Sequence, residues 1–114
     1  MSEHAVIAYM KLSDGGFGSE VEVARYFELE DNLEAVINDA GVGEFDGNEV
    51  GEGFFTLYMY GPDADKLAKV VLPVLERSGP PAGSYVLKRY GDAEDLTARE
   101  EKVLLKSRTS PARN

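Results

Sequence analysis

The stretch from residue 41 to residue 62 constrains the fold of this chain more than any other segment. Residues 54–60 are rich in aromatic and branched side chains with a glycine at each end, which predicts a well-buried strand. Residues 44–50 are its predicted antiparallel partner. Two turns are compatible with this hairpin: Gly51-Glu52 as a type II′ pair, or Asp46-Gly47. We favour Gly51-Glu52, which leaves the earlier glycine at a β-bulge.

Side chains alternate across a strand, so the second strand of the hairpin presents two different faces. One face is fully apolar and suits a core. The other carries tyrosine hydroxyls that tolerate water, and it is therefore predicted to point outward as an interaction face. The opposite assignment stays open at this point. The residues of the predicted interaction face are Phe54, Thr56, Tyr58 and Tyr60.

Helical patterns flank the hairpin on both sides. Apolar residues recur at helical spacing over residues 29–40, and Gly41 is placed to end that helix as its C′ residue. Residues 20–28 alternate like a strand but have a glutamate-rich composition, and we favour a helix over most of residues 20–40. A second helix is predicted to begin with Pro62 at N1 and to run to about Arg77.

Further strands are predicted before and after these elements, at residues 5–12, at 84–90 and, as a last edge strand, at 101–106. Strand, helix, strand, strand, helix, strand is the order of a ferredoxin-like split βαβ sandwich. We therefore predict an α+β fold with an antiparallel sheet and both helices on one face. Residues 1–105 would form this single domain, followed by a disordered basic tail at 106–114.

The amino-acid composition argues against several kinds of disulfide, metal and catalytic site. The 114 residues include no cysteine, which excludes disulfides, thiolate metal sites and cysteine nucleophiles. His4 is the only histidine and lies near a terminus expected to be mobile, so catalytic triads and histidine metal sites are disfavoured. We predict no catalytic residues, no metal and no cofactor.

Charge points to the kind of partner. Residues 1–105 hold all 21 carboxylates but only nine of the 12 lysines and arginines, a formal charge of −12. Such a surface repels phosphate backbones and disfavours nucleic-acid binding, whereas it would attract a basic protein partner. No apolar run approaches membrane-spanning length, and a cytoplasmic location is expected.

Acidic residues near the hairpin suggest a possible ligand site. A calcium-loop pattern starting at Asp46 fails, since Val50 and Leu57 occupy positions that require oxygen ligands. A small-ligand site would form if the starts of the hairpin and of the second helix converge. The side chains expected to line such a site are Glu44, Asp46, Glu49, Asp63, Asp65 and Arg89.

Three segments of the sequence resemble segments of known proteins. Residues 43–49 (GEFDGNE), residues 56–65 (TLYMYGPDAD) and residues 89–91 (RYG) resemble those of small bacterial proteins with no assigned activity. The resemblance extends over residues 17–105. It implies a bacterial origin and an α+β sandwich, and it transfers no catalytic residue.

These observations favour a non-enzymatic protein-interaction or regulatory module that forms a homodimer, since aromatics on an uncovered sheet face usually mark an interface. An acidic, immunity-type inhibitor of a basic protein is one version of this hypothesis. The alternative is a small-ligand or divalent-cation sensor using the acidic hairpin. An enzyme with Glu44 and Asp46 as acid and base is the least favoured, because neither is expected to be buried.

Overall fold

The computed structural model describes residues 3–13, 16 and 18–106. Five strands and two helices follow one another along the chain. They are β1 (His4–Lys11), α1 (Glu20–Ala40), β2 (Glu44–Gly51), β3 (Phe54–Gly61), α2 (Ala64–Arg77), β4 (Tyr85–Arg89) and β5 (Glu100–Leu104).

All five strands form one antiparallel sheet in the order β2-β3-β1-β4-β5, so β1 is the central strand. The predicted α+β class is confirmed. The predicted C-terminal edge strand is also present as β5. The predicted tail lies outside the described residues from residue 107 onward.

One face of the sheet packs against the helices. Alternate residues of β1, β3 and β4 on this face are fully buried and share a single core cluster with the buried residues of both helices. Phe55 is in contact with the rings of Tyr26 and Phe27 on α1, at centroid distances of 5.0 and 5.6 Å. The strand residues that define this face are Val6, Ala8, Met10, Phe55, Leu57, Met59 and Val86.

The helix α1 is continuous, so the strand-like alternation of residues 20–28 does not form a strand. Ser19 caps its N-terminus in a capping box with Glu22, which satisfies backbone donors at the start of the first turn. Gly41 ends the helix in the left-handed conformation, as its position predicted. Helical continuity therefore outweighs a local period of two.

The hairpin turn lies one residue later than predicted. Gly51 pairs with Phe54, so Glu52 and Gly53 are the two turn residues. Both have positive φ angles, 54° and 86°, which is the signature of a type I′ turn, and the predicted type II′ turn is wrong. The predicted bulge is confirmed, since the register shifts between Phe45 and Gly47.

The start of α2 also differs by a short distance from the prediction. Asp63 is the N-cap, and its carboxylate accepts hydrogen bonds from the backbone N–H groups of Asp65 (2.9 Å) and Lys66 (3.2 Å). Pro62 therefore precedes the cap instead of occupying N1. The helix ends at Arg77, as predicted.

Candidate functional site

The sheet surface opposite the helices carries a continuous group of aromatic and aliphatic side chains, which we call the helix-free face. Backbone register places them side by side across four strands. None of the described helices packs on this side, and each of these side chains is partly or largely exposed. The helix-free face consists of Ile7, Tyr9, Phe54, Tyr58, Tyr60, Tyr85, Leu87 and Leu104.

Three rings form the centre of an aromatic cluster on this face. Tyr9 stacks on Tyr85 with a centroid distance of 4.7 Å, and Phe54 meets both rings edge-on at 5.9 Å. Two lysines lie over these rings, Lys11 at 5.0 Å from the Phe54 centroid and Lys102 at 4.2 Å from that of Tyr85. The cluster is thus an aromatic platform on which two lysine ammonium groups already lie.

The predicted interaction face has one exception. Phe54, Tyr58 and Tyr60 are partly exposed on the helix-free face, whereas Thr56 is buried at 7% exposure. Thr56 lies between Tyr9 and Glu49 on the neighbouring strands, so it has a larger side chain on either side. Thr56 can support this surface but offers little area to a partner.

Glu49 connects the acidic strand β2 to the aromatic cluster. The Tyr58 hydroxyl donates a 2.8 Å hydrogen bond to its carboxylate. A groove of about 350 Å³ opens beside this pair, lined by Tyr9, Phe54 and Glu52 among others. The groove combines aromatic walls with two carboxylates, which is a chemistry suited to an organic cation.

Desolvation and the hydrogen bond to Glu49 raise the pKa of Tyr58 to about 12, from an ordinary value of 10.0. The neutral hydroxyl is therefore favoured in the folded protein. The stabilisation of the folded protein by the neutral Tyr58 hydroxyl is fully present below pH 10 and is lost as the pH rises through 12.

Glu49→Gln is expected to lower the pKa of Tyr58 below 12, because an amide accepts the hydrogen bond without opposing the phenolate charge. Titration of the Tyr58 ring signals by NMR measures this value. Glu44→Gln is the matched control, since it removes one charge from the same strand without touching this hydrogen bond. Equal Tyr58 pKa values in both variants would show that Glu49 does not set it.

The other predicted ligand residues do not converge. Asp65 accepts hydrogen bonds from Tyr90 (2.6 Å) and Lys88 (3.0 Å), which lower its pKa. The Arg89 guanidinium donates to Glu100 at 2.7 Å and to backbone carbonyls of the β4–β5 loop. Glu44 and Asp46 lie on the edge strand β2, which is separated from β4 by β3 and β1.

Within the described residues, no group of three or more His, Asp or Glu side chains has an arrangement that holds a metal ion. Asp63 serves as a helix cap and Arg89 as a loop anchor. The six residues predicted to line a ligand site are therefore divided between β2, the start of α2 and β4.

His4 has a role that the sequence prediction missed. Its Nδ1 accepts a 3.0 Å hydrogen bond from the backbone N–H of Ala64, the first residue of α2, and its ring meets Tyr90 edge-on at 5.7 Å. His4 therefore completes the cap of α2 together with Asp63. The sequence placed His4 near a terminus expected to be mobile, and in the structure it is the first residue of β1.

Neither of the described helices is both long enough and apolar enough to cross a lipid bilayer. Comparison of the chain with protein-family models, with curated proteins and with solved structures gives no match. The resemblance to small bacterial proteins stays a prediction.

Proposed function

We propose that this protein is a non-enzymatic interaction or regulatory module that self-associates through its helix-free face. The observation that carries the proposal is the continuous aromatic and aliphatic surface spanning β3, β1, β4 and β5. Contiguous apolar surface of this kind on a small domain is typical of protein–protein interfaces, and tyrosine and phenylalanine are enriched there.

A ferredoxin-like arrangement is part of this proposal. It is supported by the sheet order, in which β3 lies between β1 and β2, and β1 lies between β3 and β4. Each helix then connects two strands that are separated by one other strand. Such a plan covers one sheet face with helices and leaves the other for a partner.

A second copy of the chain is the favoured partner for the helix-free face, because both acidic and basic side chains lie beside its aromatic residues. A purely acidic face would favour a basic partner and repel a second copy. Here Lys11 and Lys102 lie over the aromatic rings while Glu49 lies at the β2 side. A cytoplasmic location belongs to the same proposal, supported by the lack of cysteine.

Two related roles rest on narrower observations. The exposed acidic residues of α1 and β2 support an immunity-type inhibitor that binds a basic protein through this edge. The groove beside Glu49 supports a sensor of a small organic cation. The divalent-cation version has no supporting ligand group among the residues that the structure describes.

The substitution Ile7→Asp tests self-association through this face. Ile7 lies on the central strand opposite Tyr58 and Leu87, so any partner on the face covers it. We expect the dimer dissociation constant of the Ile7→Asp variant to rise by roughly 100-fold or more, because a symmetric interface would bury two unpaired carboxylates. Sedimentation velocity over a concentration series measures this change.

Val21→Asp is the matched control, since Val21 is 70% exposed on α1 and lies away from the sheet. It adds the same charge and is expected to leave the dissociation constant near that of the unmodified protein. Circular dichroism checks that both variants stay folded. Equal association of the two folded variants would contradict the proposal.

A further inference from the structure

Charge is distributed unevenly across the helix-free face. At one edge, Glu44 and Glu49 of β2 point to the same side as Tyr60 and Thr56, their partners on β3. At the other edge, Lys102 of β5 lies over the Tyr85 ring, with no carboxylate partner among the described residues. Arg89 and Glu100, which share that edge, neutralise each other in an ion pair.

The position of β1 at the centre of the five strands makes this asymmetry decisive for a symmetric dimer. Two sheets packed face to face lie about 10 Å apart with nearly aligned strands. A two-fold axis parallel to β1 places β2 of one copy over β5 of the other, and β3 over β4. An axis perpendicular to β1 places β2 over β2.

The two axes differ in their electrostatics. The perpendicular axis brings the carboxylates of both β2 strands together, and like charges at an interface are unfavourable. The parallel axis places each acidic edge over Lys102, which has no carboxylate partner in the described part of the chain. It also places the aromatic side chains of β3 over Tyr85 and Leu87 of β4 in the second copy.

We propose that two copies pack through the helix-free face about a two-fold axis parallel to β1, with Lys102 of each copy in the groove beside Glu49 of the other. This inference rests on the proposed self-association and adds its geometry. Each interface would contain two such lysine–glutamate contacts, one at either side of the central strands.

The strand register places Lys102 within reach of Glu49 in the second copy. An axis parallel to the strands preserves position along them, and Glu49 shares its level with Thr56, Tyr9, Tyr85 and Leu104. Lys102 is two residues from that level, about 7 Å along the strand, which a lysine side chain spans. In the groove its ammonium meets a carboxylate and aromatic walls, a favourable site for a cation.

A charge exchange tests this arrangement. The variants are Glu49→Lys, Lys102→Glu and the double variant that carries both changes. We expect each single change to raise the dimer dissociation constant roughly tenfold or more. Each one places two like charges next to each other at both of the lysine–glutamate contacts in the dimer. The double variant restores opposite charges, and we expect it to return to within about threefold of the unmodified protein.

Two controls accompany this experiment, at physiological ionic strength where charges are screened beyond about 8 Å. Glu34→Lys on α1 and Lys69→Glu on α2 make the same charge changes at exposed positions away from the sheet. Both are expected to dimerise like the unmodified protein, and circular dichroism reports folding throughout.

The outcomes separate the arrangement from the proposed function. Recovery in the double variant supports the parallel axis. If the single variants match their controls, or if the double variant associates no better than either single one, the arrangement is wrong. Sensitivity to Ile7→Asp would then still support the face as the interface, whereas a monomeric unmodified protein would overturn both.

Discussion

Replacing Gly43 with alanine is expected to lower the free energy of unfolding by about 3 kcal/mol or more. A Cβ atom at this position would lie 2.1 Å from the backbone carbonyl oxygen of Tyr60 on the paired strand. A backbone atom cannot move aside as a flexible side chain can. The start of β2 would have to separate from the end of β3, where Gly61 makes the reciprocal close approach.

Gly47→Ala is a control with a matched φ angle. Gly47 has a φ of 154° against 155° for Gly43, but a Cβ there meets nothing within 4 Å. The unfavourable φ angle is thus common to both variants, and the difference between their urea unfolding free energies reports the close approach. Equal losses of stability in the two variants would show that the contact between β2 and β3 is not tight.

The second large effect is expected for Phe55→Ala, which should cost about 3 to 5 kcal/mol. Phe55 is fully buried on the helix side of β3 and contacts the rings of Tyr26 and Phe27. Removal of its ring leaves a cavity between the sheet and α1 that the surrounding side chains fill only in part. Thermal or urea unfolding measures the loss.

Phe27→Ala provides the comparison for Phe55. Phe27 is the same residue type and takes part in the same ring contact, but it is 50% exposed. Its removal takes less area from the core and leaves no closed cavity, so we expect a clearly smaller loss of stability. A larger loss of stability for Phe27→Ala than for Phe55→Ala would contradict the assignment of Phe55 to the buried face of β3.

Local patterns predicted the elements of this fold well. The spacing of apolar residues and the glycine at position 41 located α1, and the dense run at 54–60 located β3. The turn was misplaced by one residue because Gly51 and Gly53 both flank Glu52, and only strand pairing selects between them. The residue that caps α2 was missed because Asp63 and Pro62 are both good starting residues.

The candidate site was less predictable because it depends on long-range register. Alternation along β3 gave the outward aromatics, but Tyr9, Tyr85 and Leu104 join them only through the pairing of distant strands. The same register separates β2 from β4, so the predicted ligand residues do not meet. The cap formed by His4 links residues 60 positions apart, so no local sequence pattern predicts it.

In the proposed dimer the helix-free face joins two copies of this chain. Sedimentation equilibrium of the unmodified protein at micromolar concentrations tests this association. We expect a mass twice the 12.5 kDa of the chain, falling towards 12.5 kDa on dilution or with Ile7→Asp. A mass of 12.5 kDa throughout the concentration range would contradict it.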